Sequence, residues 1–128
     1  MKTTGILKGW SFMTRYKKGT VVLVLFPNSD LVTAKRRPAL VVQADKLKTD
    51  LEQAIVAMIT SNLSRDGYPS RICINKNSKE GKSAGILTDS IIMTDNLATV
   101  RLIEIDKAIG TLPDMSAVES ALRITLGL

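Results

Sequence analysis

No apolar run in this chain exceeds six residues; the longest are Val21–Phe26 and Ala54–Ile59. Runs that short suit strands, and they fall far below the ~18 residues that a membrane-spanning helix requires. Thr20–Phe26 (TVVLVLF) is β-branched, lacks in–out alternation and closes on Pro27, which predicts a strand covered on both faces. Arg37–Ala44 (RPALVVQA) predicts a second strand, with Pro38 tolerated at its entrance, and Ala54–Thr60 a third. Arg71–Asn75 alternates like an edge strand, and Ser90–Thr94 and Thr99–Ile103 read as two more, separated by Asp95–Ala98. Between them lie a nine-residue loop, Asn28–Arg36, and a Lys- and Ser-rich surface loop, Asn77–Ala84. The last segment is helical: Ser116 and Glu119 fit a capping box, Asp114 is a second possible cap, and Met115, Val118, Leu122, Thr125 and Leu126 form one apolar stripe. Strands first, then one terminal helix, with no 30-residue βαβ unit or repeat, predict a small α+β domain, mostly β, built on a curled antiparallel sheet.

The length of 128 residues suits one domain, placed at 16–128, with 1–15 as an N-terminal extension. Histidine is absent, which removes any Ser-His-Asp or Cys-His triad and the commonest zinc ligand. Cys73 alone makes no internal disulfide and, without histidines, no metal site, so neither metal nor cofactor is expected. Lys8 interrupts the N-terminal segment before a signal-peptide core can form, and a cytoplasmic protein without membrane association is expected. The net charge of +6 is uneven: residues 1–45 hold 8 basic and 2 acidic groups, 46–88 hold 7 and 4, and 89–128 hold 3 and 6. A basic front half favours a polyanionic partner, nucleic acid ahead of membrane, against the plainer reading of a soluble protein that is merely basic.

Lys35, Arg36 and Arg37 stand at a strand mouth, where guanidinium forks match phosphate oxygens; a solvated basic loop fits the same pattern. Arg37 differs, because Pro38 restricts its backbone and a rigid strand follows. Thr60, Ser61 and Asn62 end a buried strand with hydroxyls and an amide that suit phosphate or base edges, or simply a turn. Asp89, Asp95, Glu104 and Asp106 are candidate bases or plain caps and surface partners. Of the aromatics, Phe26 reads as core, Tyr16 beside Lys17 and Lys18 is the better candidate to stack a base, and Tyr68 stands alone.

Lys18-Gly19-Thr20-Val21-Val22, Lys35–Val42 and Ala57–Ser61, followed by Asp89–Ile92, Asp95-Asn96, Leu102–Leu112 and the terminal helix, resemble the MazF/PemK family of toxin endoribonucleases from bacterial toxin–antitoxin modules. The resemblance spans roughly residues 16–127, in order and spacing. It implies an SH3-like barrel with a C-terminal helix, of MazF/PemK/CcdB type, usually a homodimer. It also implies metal-independent cleavage of single-stranded RNA to a 2′,3′-cyclic phosphate and a 5′-hydroxyl, with a cognate antitoxin covering the RNA groove. Carried over by position, Arg37 and Thr60 match the family's catalytic arginine and threonine. Asp95 matches the aspartate of an Arg-x-Asp pair whose arginine position holds Met93 here, and is the candidate base. Asn28, Ser29, Asp30, Thr33, Lys35, Arg36, Ser61, Asn62 and Asn96 are the expected RNA contacts. The loop Asn28–Arg36 departs from the family's Gly-rich first loop in having no glycine. Two other functions compete: a non-catalytic barrel that binds nucleic acid or protein, and a topoisomerase-inhibiting toxin of related fold.

Overall fold

The computed structural model describes residues 16–27, 30, 32–45, 47 and 49–128; the expected extension 1–15, and the loop residues Asn28 and Ser29, lie outside them. Strands β1 (Thr20–Pro27), β2 (Ala34–Val41), β3 (Gln53–Thr60), β4 (Arg71–Ile74), β5 (Ser90–Arg101) and β6 (Ile105–Thr111) form one sheet in the order β4-β5-β3-β2-β1-β6. Every pairing is antiparallel. Helix α1 (Lys79–Ala84) connects β4 to β5, and helix α2 (Ser116–Leu126) follows β6. No helix among the described residues is long and apolar enough to cross a membrane.

The unalternating runs become the middle of the sheet, as expected. Val21 of β1 joins Leu40, Ala57, Ile59, Ile92 and Val118 in one core cluster, while Val22 and Val24 join Ala39, Val56, Met58 and Ile91 in another. Successive side chains of a strand point to opposite faces, so strands that feed two clusters must be apolar at every position. The first cluster lies under the helices; the second packs against the sheet itself as it curls, reaching Val100 and Ile105.

Curling brings the two edges near one another through α1. The helix leaves the β4 edge and packs on β6, where Ser83 Oγ donates to the Thr111 carbonyl at 2.8 Å. The approach is close enough to demand glycine on both sides. A Cβ on Gly85 would stand 2.1 Å from the Ile109 carbonyl oxygen, and one on Gly110 would stand 2.3 Å from the Ala84 carbonyl carbon.

Several expectations are corrected. Asn77–Ala84 is not all loop: Ser78 caps α1 by accepting from Gly81 N–H at 3.0 Å, and Gly85 ends it in the left-handed region. A helix this short carries no periodicity of its own and forms only in tertiary context. The second strand begins at Ala34 rather than Arg37, so Lys35, Arg36 and Arg37 lie within β2, opposite Phe26, Leu25 and Val24. Pro38 is tolerated because the β2–β3 ladder starts only at Ala39. Ser90–Thr94 and Thr99–Ile103 belong to one strand, β5, which ends at Arg101. β6 is absent from the sequence-based expectation; its edge position and its Asp106, Lys107 and Gly110 erase the strand signal. At α2, Asp114 supplies the cap by accepting from Ser116 N–H (3.0 Å) and Oγ–H (2.7 Å), while the capping-box Glu119 pairs with Lys18. Val118 and Ala121 are the buried centre of the α2 stripe, and Leu126 is exposed. Tyr16 is half-buried and packs against the second cluster, and it does not line the cleft described below.

The seam makes a testable demand. Gly110→Ala should destabilise the protein by about 1–3 kcal/mol through overpacking, read as a lower denaturant midpoint at unchanged slope.

Candidate functional site

The β2–β3 register pairs Ala39 with Met58 and Leu40 with Ala57. Continued two residues toward the open end, it sets Arg37 opposite Thr60. Strand alternation also puts both on the face of Ala39 and Met58. Arg37 and Thr60 thus converge although 22 intervening residues separate them in the chain. They line a cleft of about 900 Å³ together with Lys35, Arg36, Ser61, Arg65, Asn96 and Lys107. Its floor and walls are apolar, with Leu23, Phe26, Pro38, Met58, Ile86 and Met93 among them.

Charge in the cleft has one sign. Lys35, Arg36, Arg37, Arg65 and Lys107 line it, and no carboxylate does among the described residues. Arg36 is partly neutralised from outside by Asp106, with Nε 2.9 Å from Oδ2. Arg37, Lys35, Arg65 and Lys107 form no ion pair with a described carboxylate. Such a surface attracts a polyanion and holds it through phosphates. Sequence reasoning misses Arg65 and Lys107, because one lies in a 3-10 turn and the other on β6, whose strand signal is weak.

Thr60 has its hydrogen-bonding direction set by the turn that follows. Its Oγ1 accepts from Asn62 N–H at 3.1 Å, which leaves the hydroxyl proton to donate into the cleft. Asn62 serves the turn itself. Its Oδ1 accepts from Ser64 N–H (3.2 Å) and Oγ–H (2.6 Å), capping Leu63–Arg65. Asn62 is absent from the cleft lining, whereas Ser61 is present.

The loop residues Asp30 and Thr33 also bond to one another. Asp30 accepts from the backbone N–H groups of Val32 (2.9 Å) and Thr33 (3.0 Å) and from the Thr33 hydroxyl, and neither residue lines the cleft. The two backbone bonds hold the Asp30 carboxyl below its ordinary pKa.

Asp95 and Asn96 owe their position to a break in register. Ala57 pairs with Leu97, but the next β3 residue, Met58, pairs with Met93, so Thr94, Asp95 and Asn96 stand between two consecutive β3 residues. Bulges of this kind re-aim side chains beside functional sites. Thr94 turns inward and bonds the Ser70 carbonyl (2.5 Å) and the Thr125 hydroxyl (2.9 Å). Asn96 reaches the cleft lining. Asp95 is set to one side, where the Arg71 fork holds both oxygens, Nε to Oδ1 at 3.2 Å and Nη2 to Oδ2 at 3.1 Å. Arg71 reaches Asp95 from the neighbouring strand, as the β4 residue opposite Met93. This fork is the main cause that lowers the Asp95 pKa from its ordinary 3.8.

Cys73 is exposed, yet its hydrogen bond with Asp66 pushes the thiol pKa up, away from a reactive thiolate. Among the described residues no three His, Cys, Asp or Glu side chains gather as a metal site.

Residues 17–126 match the family model of the PemK-like, MazF-like toxin of type II toxin-antitoxin system. Solved structures share the fold. A mycobacterial endoribonuclease in complex with its cognate antitoxin superposes with a TM-score of 0.67 at 18% identity, covering 89% of this chain and 97% of that one. Toxin MazF-mt6 of Mycobacterium tuberculosis gives 0.66 at 20% identity over 85% and 97% of the two chains. A MazE-MazF structure from Deinococcus radiodurans gives 0.68 at 18% identity over 88% and 97%.

The Arg71–Asp95 pair predicts a pH signature. A depressed carboxyl pKa stabilises the fold fully above the unfolded value and loses that contribution as pH falls through the folded one. Asp95 keeps 36% of its side-chain exposure, so screening limits the pair to about 1 kcal/mol or less. Asp95→Asn should therefore lower the urea midpoint slightly at neutral pH, with the difference from wild type closing below pH 3.8.

Proposed function

The chain belongs to the PemK-like, MazF-like toxin family of type II toxin-antitoxin systems, and from that membership we propose that it is an endoribonuclease acting on single-stranded RNA. The observation that carries this reading is that Arg37 and Thr60 line one cleft together with four further cations and no described carboxylate. The 2′-oxygen of one nucleotide attacks the adjacent phosphorus, the bond from phosphorus to the 5′-oxygen of the next nucleotide breaks, and a 2′,3′-cyclic phosphate and a 5′-hydroxyl result. The proton of the 2′-hydroxyl passes to a base, and the departing 5′-oxygen takes one up.

In this reading Arg37 faces the non-bridging phosphate oxygens, where negative charge builds in the transition state, and supports protonation of the departing oxygen. A guanidinium mounted on a paired strand requires little reorganisation when that charge develops. Thr60, whose lone pair is already engaged by Asn62 N–H, donates its hydroxyl proton to the same phosphate group. Lys35, Arg36, Arg65 and Lys107 hold the flanking phosphates, and Ser61 and Asn96 offer polar contacts to sugar or base. Asp30 and Thr33 order the first loop and Asn62 the turn that follows Thr60, and Asn28 and Ser29 neighbour Asp30 in the sequence. Asp95 is an ionised carboxylate beside the cleft. Its part as proton acceptor requires release from the Arg71 fork, and an unchanged acid limb of kcat/KM in Asp95→Asn would exclude it.

The protein partner in this reading is a cognate antitoxin whose acidic segment lies along the basic cleft. The homodimer implied by the family resemblance is checked by sedimentation of the purified protein.

The deciding assay is cleavage of long single-stranded RNA with excess EDTA. Wild type should leave discrete fragments with 5′-hydroxyl ends, and Arg37→Ala, folded normally, should lose roughly 10²–10³ in rate. Thr60→Val, which keeps shape without the hydroxyl, should lose activity in the same direction. Intact RNA from folded wild type over diverse sequences would turn the reading to a binding module.

A further inference from the structure

Among the described residues three are aromatic, and two of them, Tyr16 and Phe26, pack against the core. Tyr68 instead keeps 59% of its surface exposed. The guanidinium of Arg71 lies over its ring, 4.9 Å from the centroid. That guanidinium is itself held at three points: Nε and Nη2 by Asp95, and Nη1 by the Arg65 carbonyl at 2.8 Å. The fork therefore fixes the cation against the ring, and more than half of the Tyr68 surface stays exposed.

We propose that Tyr68 is a base-stacking platform adjoining the cleft, which takes an unpaired nucleobase of the RNA strand that Arg65 leads into it. This rests on the endoribonuclease reading and adds a binding subsite to it. Three features favour a nucleobase. Arg65 lines the cleft, and its carbonyl accepts from the same Arg71 guanidinium that lies over the Tyr68 ring, so the ring stands beside the residue that a strand's phosphate would meet. The Arg71–Asp95 pair below the ring is balanced in charge, so the platform does not repel a phosphodiester. Its polar surroundings of Arg65, Arg71 and Asp95 also contrast with the charge-poor centre of a protein interface. A flat ring accepts any base by its π face, so the subsite adds affinity without selecting sequence.

The test uses mixed-sequence single-stranded RNA with every ribose 2′-O-methylated, which removes the attacking hydroxyl and reads binding alone. Tyr68→Ala and Tyr68→Leu should bind this RNA about 5- to 100-fold more weakly, and Tyr68→Phe as tightly as wild type. The salt dependence should stay unchanged, because no phosphate contact is lost. The leucine variant keeps apolar bulk, so it separates loss of stacking from a disturbed loop. Wild-type affinity in both Tyr68→Ala and Tyr68→Leu overturns the proposal, and a concurrent loss of antitoxin binding would assign the ring to a protein surface. A wild type that binds no RNA overturns the endoribonuclease reading, and the subsite with it.

Discussion

Strand β3 is paired along both edges and buried on both faces, and the groups of the cleft take their positions from it. On one side it meets β2 in a regular register from Ala39 to Val41, beyond which Arg37 and Thr60 both reach the cleft. On the other it meets β5 in a register that breaks between Ala57 and Met58. Backbone hydrogen bonds on either side, with Val56 and Ala57 fully buried between them, leave this strand little freedom to slide. A one-residue slip would send every apolar side chain to the wrong face. The same constraint that protects the core therefore fixes the geometry available for chemistry.

The break in β5 shows how a regular sheet gives rise to an irregular site. Thr94, Asp95 and Asn96 stand between two consecutive β3 residues and cannot all join the ladder. Each then finds a separate environment. Thr94 is buried against α2, Asp95 is taken by Arg71, and Asn96 enters the cleft. Arg71 ties the bulge to the loop of Arg65 and Tyr68, so the two banks at that end of the cleft are held by one side chain. At the far edge of the sheet, Gly85 and Gly110 permit the contact between α1 and β6 that brings Lys107 round to the same cleft.

The competition between a solvated basic loop and a phosphate site, which the sequence alone tilts toward the loop for Lys35 and Arg36, looks different in three dimensions. Lys35, Arg36 and Arg37 belong to a paired strand, whose alternation sets Arg36 apart from Lys35 and Arg37. Arg36 meets Asp106 on the neighbouring strand, whereas Arg37 faces the cleft without an ion pair to a described carboxylate.

Strand content, the terminal helix and the family are legible in the amino-acid order. These follow from local pattern: apolar runs without alternation, turn residues between them, and motifs in order. Arg37 and Thr60 are legible because each sits in such a motif. Long-range contacts set the rest. α1 and β6 carry weak local signals and exist because each buries against a distant neighbour. The bulge is invisible locally, since a register shift is a property of two strands. Arg71 becomes the partner of Asp95 across 24 positions of chain because β4 pairs with β5, and the local contact of Tyr68 with Arg71 gains its fixed partner through that pairing. Tyr16, the better stacking candidate from its basic neighbours, is half-buried against the core because burial follows the curl of the whole sheet.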